Sequence, residues 1–480
     1  MTSQVITASN GDVRLRRELG LFSAISMIVG VMIGSGVFVS PSSALMHSGS
    51  VGFCLLVWAI CGVISLLGAL AFAELGTVVP RSGAEYAYFL ESFGDKNKFW
   101  GPLPAFVCSW VYVVVLRPAE VAVIVLTFAE YAVQPFVSCN QGDLIKKIVA
   151  LLAIGLITFI NITSVKLYVK LQNVFATCKV VACLVVIAGG LFELWQGRVE
   201  RLTSGFAGST TSLGSIALAF YSGLWAYDGW SSVTTVTEEI QKPEVNIPRS
   251  IVIAVPLITA LYVSMNAAYL AVLDIPEMIA SPAVGLAFGE RALGPFRFII
   301  PLGVAISTFG CALSIQFGVT RLCYVAAQEG HMAQALSYVH ITRMTPAPAV
   351  AMQGIIAAAF MLSGDVIALI DFASFLIWFF YGCAMVSLLV LRKTKANVHR
   401  PYKVPTIIPI FILLVAIFLS VMPIATDPSP KFLFAVGFIL SGVAVYIPFV
   451  YYKKKPSWME GLTYFIQVLF EVVPPRISID

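Results

Sequence analysis

Ile33-Gly34-Ser35-Gly36-Val37 interrupts the first apolar run of the chain, residues 21–41, at its middle. Glycine in a helix interior costs about 1 kcal/mol relative to alanine, so two glycines at membrane depth permit local unwinding where protein or water satisfies the freed backbone groups. Such a break exposes two helix ends. The amides after it carry partial positive charge suited to a carboxylate, and the carbonyls before it suit an ammonium. Taken alone, the pattern is equally well read as close helix packing through small residues.

A second stretch shifts that balance. Phe220-Tyr221-Ser222-Gly223-Leu224-Trp225-Ala226-Tyr227-Asp228-Gly229-Trp230 places two more glycines at comparable depth in the sixth apolar run, beside an ionisable residue. Two broken spans five helices apart are the sequence signature of an inverted-repeat transporter, with an amphoteric ligand held between the breaks. The expected site is therefore explicit. A substrate carboxylate meets the amides of Ser35, Gly36 and Val37 around Gly34, and its ammonium meets the Ile33 carbonyl and carbonyls from Ser222 to Trp225. Asp228, a carboxylate costing about 2.5–3.5 kcal/mol at a helix centre, is expected to face a polar cavity and to receive a distal positive charge. A structural salt bridge to Lys179 is the plainer alternative. Trp225, one turn earlier, is expected to cover a bound aliphatic stem and to act as an outer gate, with bundle packing as its plainer role. Lys179 stands either where a sodium ion would sit in cation-coupled carriers or against a carbonyl cluster. Arg117 and Glu120, three apart on one helix, read as a local ion pair rather than a substrate contact.

The rest of the chain supports a membrane setting. Of 480 residues 59% are hydrophobic and 11% charged, against about a quarter charged in ordinary globular domains. Apolar runs at 21–41, 51–75, 100–133, 144–162, 167–195, 211–237, 250–272, 296–327, 347–362, 366–391, 406–424 and 432–452 predict about twelve transmembrane helices. The first run lacks a small-residue cleavage pattern, which predicts a retained span and a cytosolic N-terminus. Arg14, Arg16, Arg17, Arg81, Lys96, Lys98, Lys166, Lys170, Arg392, Lys393, Lys395, Arg400, Lys403, Lys453, Lys454 and Lys455 then all fall on the cytoplasmic side; Lys146 and Lys147 are the exceptions. The net charge of +5 sits in short groups between apolar runs, not in a stripe with aromatics, so nucleic acid is not an expected partner. The expected organisation is a tail at 1–20, repeats at 21–195 and 211–391, two further spans within 404–452, and a tail at 453–480. In that tail, Trp458, Leu462, Phe465, Ile466 and Leu469 at helical spacing predict an amphipathic helix on the leaflet or the bundle floor. Asn161-Ile162-Thr163 matches a glycosylation sequon but falls on the cytosolic side and is expected to be unmodified.

Several motifs together resemble one family. Ile33-Gly34-Ser35-Gly36-Val37-Phe38, Pro80-Arg81-Ser82-Gly83-Ala84-Glu85-Tyr86, Gly223-Leu224-Trp225-Ala226-Tyr227-Asp228-Gly229-Trp230, Arg321 with Glu329-Gly330-His331-Met332, and Thr345-Pro346-Ala347-Pro348-Ala349 are similar to the light subunits of heteromeric amino-acid transporters, in the amino acid-polyamine-organocation superfamily. The likeness covers nearly the whole chain. It is strongest to the branch exchanging cationic amino acids and cystine for neutral ones, where tryptophan is followed three positions later by aspartate. The resemblance implies an all-α polytopic fold like that of the leucine transporter, a 5+5 inverted repeat plus two helices, with sodium-independent exchange by alternating access at the plasma membrane. It implies a single-span glycoprotein heavy chain disulfide-linked at Cys139, which is also the one cysteine that the expected topology exposes to the oxidising side. The stretch Glu471-Val472-Val473-Pro474-Pro475 looks like the family's C-terminal trafficking motif. One departure stands out: Ala312-Leu313-Ser314 replaces the family's usual Ala-Asn-Gly in the eighth span, removing an amide from the expected side-chain pocket.

The expected activity is thus sodium-independent exchange of cationic amino acids and cystine for neutral ones. The nine cysteines and four histidines form no ligand spacing, and no HExxH, GxSxG or phosphate loop occurs, so neither metal, cofactor nor enzyme is expected. An amino-acid sensor using the same pocket, and an exchanger restricted to neutral substrates, are the rivals; a channel fits less well, because broken helices at the midplane suit an occluded site.

Overall fold

The computed structural model describes residues 19–133, 142–197, 202–281, 284–363, 366–426, 430–454, 456 and 458–474. Helices dominate from the first described residues. α1 (Leu21–Met32) is aliphatic and stops where Ile33 leaves helical geometry (ψ 77°), and α2 (Gly36–Ser48) resumes after Ser35 at an angle of 46°. Gly49, in the left-handed region at φ 75°, ends α2 by returning its amide to the Leu45 carbonyl. Ser50 then caps α3 (Val51–Val78) through the Phe53 amide. A short α4 (Glu85–Phe93) leads to α5 (Leu103–Val111), one π-helical turn (Tyr112–Leu116) and α6 (Arg117–Val133), which together make a single long span.

The next helices are α7 (Gly142–Thr163), α8 (Val165–Trp195) and α9 (Leu213–Ala226). After α9 the chain turns through residues 227–231 into a kinked 3-10 helix (Ser232–Glu239). α10 (Pro243–Val272) opens on a proline, whose missing amide is harmless there; α11 (Ile275–Ala280) and α12 (Val284–Ala292) are short. α13 (Ile299–Gln328), α14 (Ala347–Ser363), α15 (Val366–Thr394), α16 (Ile407–Thr426) and α17 (Pro430–Tyr446) complete the bundle, and α18 (Trp458–Phe470) follows.

Among the described residues eight helical segments are long and apolar enough to span a bilayer, the bent α1–α2 pair makes a ninth, and 213–226, 347–362 and 407–422 are shorter apolar helices. These coincide with the twelve runs read from the sequence. Polarity is inverted relative to a water-soluble protein: Leu152, Phe159, Val181, Leu414 and Leu433 are exposed, whereas Glu74, Glu120, Lys179, Glu239 and Arg321 are buried. The chain is an all-α polytopic membrane protein.

α1 packs on α8, α10 and α13, and α2 packs on α9, so the half-helix after the first break lies against the half-helix before the second. At one end of the bundle a chain of contacts joins the first and last described segments. Leu19 pairs with Ile240; Ser82 and Glu238 exchange side chain-to-amide bonds of 3.2 and 3.1 Å; Arg81 pairs with Glu329; and Val339–His340 (β1) pairs antiparallel with Val472–Val473 (β2). β2 anchors the stretch that follows α18; that helix touches α14 and the 334–337 turn on one side, while Trp458, Leu462, Phe465 and Leu469 remain exposed, an apolar face of the kind that lies on a leaflet.

Candidate functional site

Both broken spans open at one level of the bundle, and four side chains tie the loose carbonyls. Tyr262 of α10 donates its hydroxyl to Met32 O at 2.6 Å and lies 3.2 Å from Ala226 O, so one phenol bridges the two breaks. Ser307 of α13 donates to Ile33 O at 2.7 Å, and Cys311 lies 3.1 Å from Val31 O. Lys179 of α8, fully buried, donates to Gly30 O at 2.5 Å. It pairs with a carbonyl of the last α1 turn, and Asp228 finds its cation elsewhere.

The site is assembled by close approach at glycine. A Cβ on Gly36 would stand 2.6 Å from Ala226 Cα, and one on Gly229 would stand 2.4 Å from Val31 Cγ1; Gly229 also has φ 108°. Ser35 and Val37 are buried beside Gly36, and the amides of these three residues make no hydrogen bond among the described residues. Gly34 sits on Cys311, whose sulfur would lie 3.0 Å from an added Cβ. Of the expected carbonyl partners, Ile33 O keeps one lone pair beyond its Ser307 bond, since a carbonyl accepts two.

The second break lies one turn later than the sequence suggested. Ser222, Gly223 and Trp225 remain within α9, and the helix opens only at residues 227–231. Tyr227 and Asp228 amides close on Gly223 O and Trp225 O, a tight last turn that propensity alone did not locate. Ser222 instead joins Ser43 at 2.8 Å, linking α9 to α2. Trp225 is half-buried one turn before Asp228.

Asp228 faces groups that spacing did not reveal. Tyr381 of α15 donates to its Oδ1 at 2.7 Å, and Arg117 Nη1 lies 3.6 Å from its Oδ2. Arg117 makes the expected pair with Glu120, at 2.7 Å, and its guanidinium stands 5.1 Å over the Tyr112 ring. A narrow cavity of about 30 Å³, too small for an amino acid, is lined by Arg117, Tyr112, Glu85, Ser231, Ser232 and Ser314 among others. Beside it, Leu313 is buried and its carbonyl takes an amide proton from Asn161 of α7 at 3.2 Å; Asn161 also donates to Gln316 at 2.8 Å. A buried amide engaged twice cannot carry a glycan. Lys146, one of the cations that broke the charge rule, is neutralised by Glu130 at 2.6 Å.

No group of His, Cys, Asp or Glu among the described residues could hold a metal ion. Cys139 lies outside the described residues.

Residues 19–469 match the amino acid permease family. The chain belongs to that family. The permease is 45% identical over 467 residues to the mouse b(0,+)-type amino acid transporter 1, covering 96% of this chain and 94% of the relative. It is 39% identical over 469 residues to the human cystine/glutamate transporter, covering 96% and 92%, and 38% identical over 478 residues to the mouse Asc-type amino acid transporter 1, covering 98% and 88%. These bear out the resemblance carried by the motifs, and they place the permease among transporters, not enzymes.

Proposed function

We propose that the permease is a sodium-independent exchanger of cationic amino acids, and of cystine, for neutral amino acids, working by alternating access. The observation that carries this reading is the pair of breaks meeting at Gly36 and Ala226, with Asp228 inside the second. The substrate carboxylate meets the Ser35, Gly36 and Val37 amides, where unbonded donors and the helix dipole favour an anion. Its ammonium meets the Ile33 carbonyl and the end of α9 near Ser222 to Trp225. Asp228 takes the distal charge of arginine or lysine, and Trp225 covers the stem and closes the outer side. Lys179 supplies, as a fixed ammonium, the charge a sodium ion would bring, which favours exchange without sodium.

The likeness to the b(0,+)-type transporter supports the substrate class, and the light-subunit motifs support a heavy-chain partner bonded through Cys139. In this reading both termini are cytoplasmic, the protein sits in the plasma membrane, and residues 21–195 and 211–391 are the inverted repeats. Counterflow in proteoliposomes is the direct assay, because a sensor would not release preloaded leucine when arginine is added outside. Asp228→Asn, at matched membrane abundance, lowers arginine uptake relative to leucine by about tenfold or more, since a hydrogen bond to a charged group contributes about 1.5–3 kcal/mol. An unchanged ratio contradicts the role given to Asp228. Cys139→Ser removes the high-mass species on a non-reducing gel; persistence of that species contradicts the linkage.

A further inference from the structure

A site that accepts both cationic and neutral substrates faces an electrostatic problem. When arginine occupies it, Asp228 has a partner. When leucine occupies it, the same desolvated carboxylate is stranded, and an uncompensated buried charge is strongly unfavourable. Exchange of one class for the other requires passage through both conditions in every cycle.

The structure places a second cation within reach. Arg117 holds Glu120 at 2.7 Å and stands 3.6 Å from Asp228, so its guanidinium is bonded to one carboxylate and poised beside the other. Both acids and the arginine are nearly shielded from solvent, with side-chain exposures of 12% for Arg117, 3% for Glu120 and 15% for Asp228. Glu85, also buried, shares the adjoining cavity with Arg117 and stands 3.5 Å from the Tyr112 hydroxyl. This cluster therefore holds three carboxylates against one guanidinium, an excess of negative charge that can receive the positive side chain of a substrate. The guanidinium rests over the Tyr112 face, a neutral surface on which it can rotate, and its backbone follows directly on the π-helical turn Tyr112–Leu116.

We infer that Arg117 is a tethered counter-ion that determines which substrates the permease accepts: it closes onto Asp228 while keeping Glu120, bridging the two carboxylates, when the bound amino acid is neutral, and yields Asp228 to the side chain of a cationic one. The resident guanidinium imitates the substrate's own. With leucine bound, Arg117, still on Glu120, and the Tyr381 hydroxyl satisfy Asp228; with arginine bound, Arg117 pairs with Glu120 alone and the substrate's side chain takes its place at Asp228. Charge balance around Asp228 is then similar in both halves of the exchange cycle. The spacing that makes Arg117 and Glu120 a local pair also holds the counter-ion 3.6 Å from its second partner. The inference rests on the role given to Asp228 in the proposed function.

Uptake of leucine and of arginine into proteoliposomes, counted per reconstituted full-length protein, tests it. Arg117→Gln is expected to lower the leucine-to-arginine uptake ratio by about tenfold or more, because only the neutral substrate leaves Asp228 uncompensated. Arg117→Lys, which keeps the charge, is expected to hold the ratio close to that of the unaltered chain. The double variant Arg117→Gln with Asp228→Asn is expected to recover leucine uptake relative to Arg117→Gln, because Asp228 is no longer there to be stranded while Glu120 has lost its partner equally in both variants. An equal loss of both substrates in Arg117→Gln, or a double variant that transports leucine no better than Arg117→Gln, overturns the inference. Where Arg117→Gln does not reach the membrane, the double variant is compared with Asp228→Asn alone: equal ratios support the counter-ion role, and a further fall in leucine uptake contradicts it. Asp228→Asn also separates the two readings. If that single variant leaves selectivity untouched, the cation site itself fails; if it shifts selectivity while Arg117→Gln does not, only the counter-ion fails.

Discussion

Gly36 and Gly229 are the positions where one carbon atom decides whether the two broken spans can meet. A methyl at Gly36 would press into the Ala226 backbone, and one at Gly229 would meet Val31 while forcing a side chain into positive φ. Overpacking of this kind costs about 1–3 kcal/mol, so Gly36→Ala and Gly229→Ala are expected to reach the membrane in reduced amount and to lose most exchange per molecule, Gly229→Ala the more severely. Uptake normalised to surface abundance measures this; full exchange in Gly36→Ala would mean that the half-helices need not touch. At this scale the sequence was informative about residue type and silent about partners. The two glycines and Asp228 announce themselves, because neither a glycine pair nor a carboxylate belongs in a lipid-embedded helix without a reason. Arg117 was legible only as the neighbour of Glu120, since i,i+3 spacing reports contacts along one helix and carries nothing about the turn of another that folds against it. Tyr381 and Tyr262 gave no signal at all: a tyrosine in an apolar run is ordinary until its hydroxyl is seen to meet a carboxylate or a chain break.

Among the elements, the spans were readable because lipid demands about twenty apolar residues each and the chain supplies little else. The exact opening of α9 was not. Gly223 suggested a break that the helix runs through, while the tight turn beginning at Tyr227 depends on contacts with Val31 and Tyr262 that only the assembled bundle provides. Tyr262→Phe keeps the ring packing but frees both bridged carbonyls, each bond being worth about 0.5–1.5 kcal/mol. It is expected to slow exchange while leaving folding intact, measured as turnover against thermal unfolding in detergent; unchanged turnover would make the bridge incidental. The connection after α13 carries a pH dependence of its own. His331 is buried outside the spans with Nδ1 2.9 Å from the Tyr86 hydroxyl, and burial holds its imidazole down to about 4. An unfolded histidine titrates near about 6.5, so protonation favours the unfolded chain: the contribution is complete above that value and is lost as pH falls toward the folded value. The melting temperature is therefore expected to drop between about pH 7 and about pH 5, and His331→Gln to flatten that drop; identical slopes would contradict the assignment.

Over the whole molecule, the arrangement follows from one requirement: polar chemistry must be confined to the interior of a body whose outside is hydrocarbon. The buried Arg321–Glu239 pair at 2.7 Å, the Glu74 carboxylate held by Arg392 and Arg400, and the cluster around Arg117 are all internal, and the first and last described segments are tied to the bundle through the Leu19–Ile240 and β1–β2 pairs. The apposition of α2 and α9 was not legible in the sequence, because helix order along a chain does not specify which half-helices touch. The central claim is that an amino acid lies between those half-helices. An experimental density map of the protein with L-arginine bound tests it most directly. The account predicts ligand density between residues 33–37 and 225–229, its carboxylate on the α2 amides and its guanidinium on Asp228. Arginine bound elsewhere, with helices running unbroken through both segments, would contradict it.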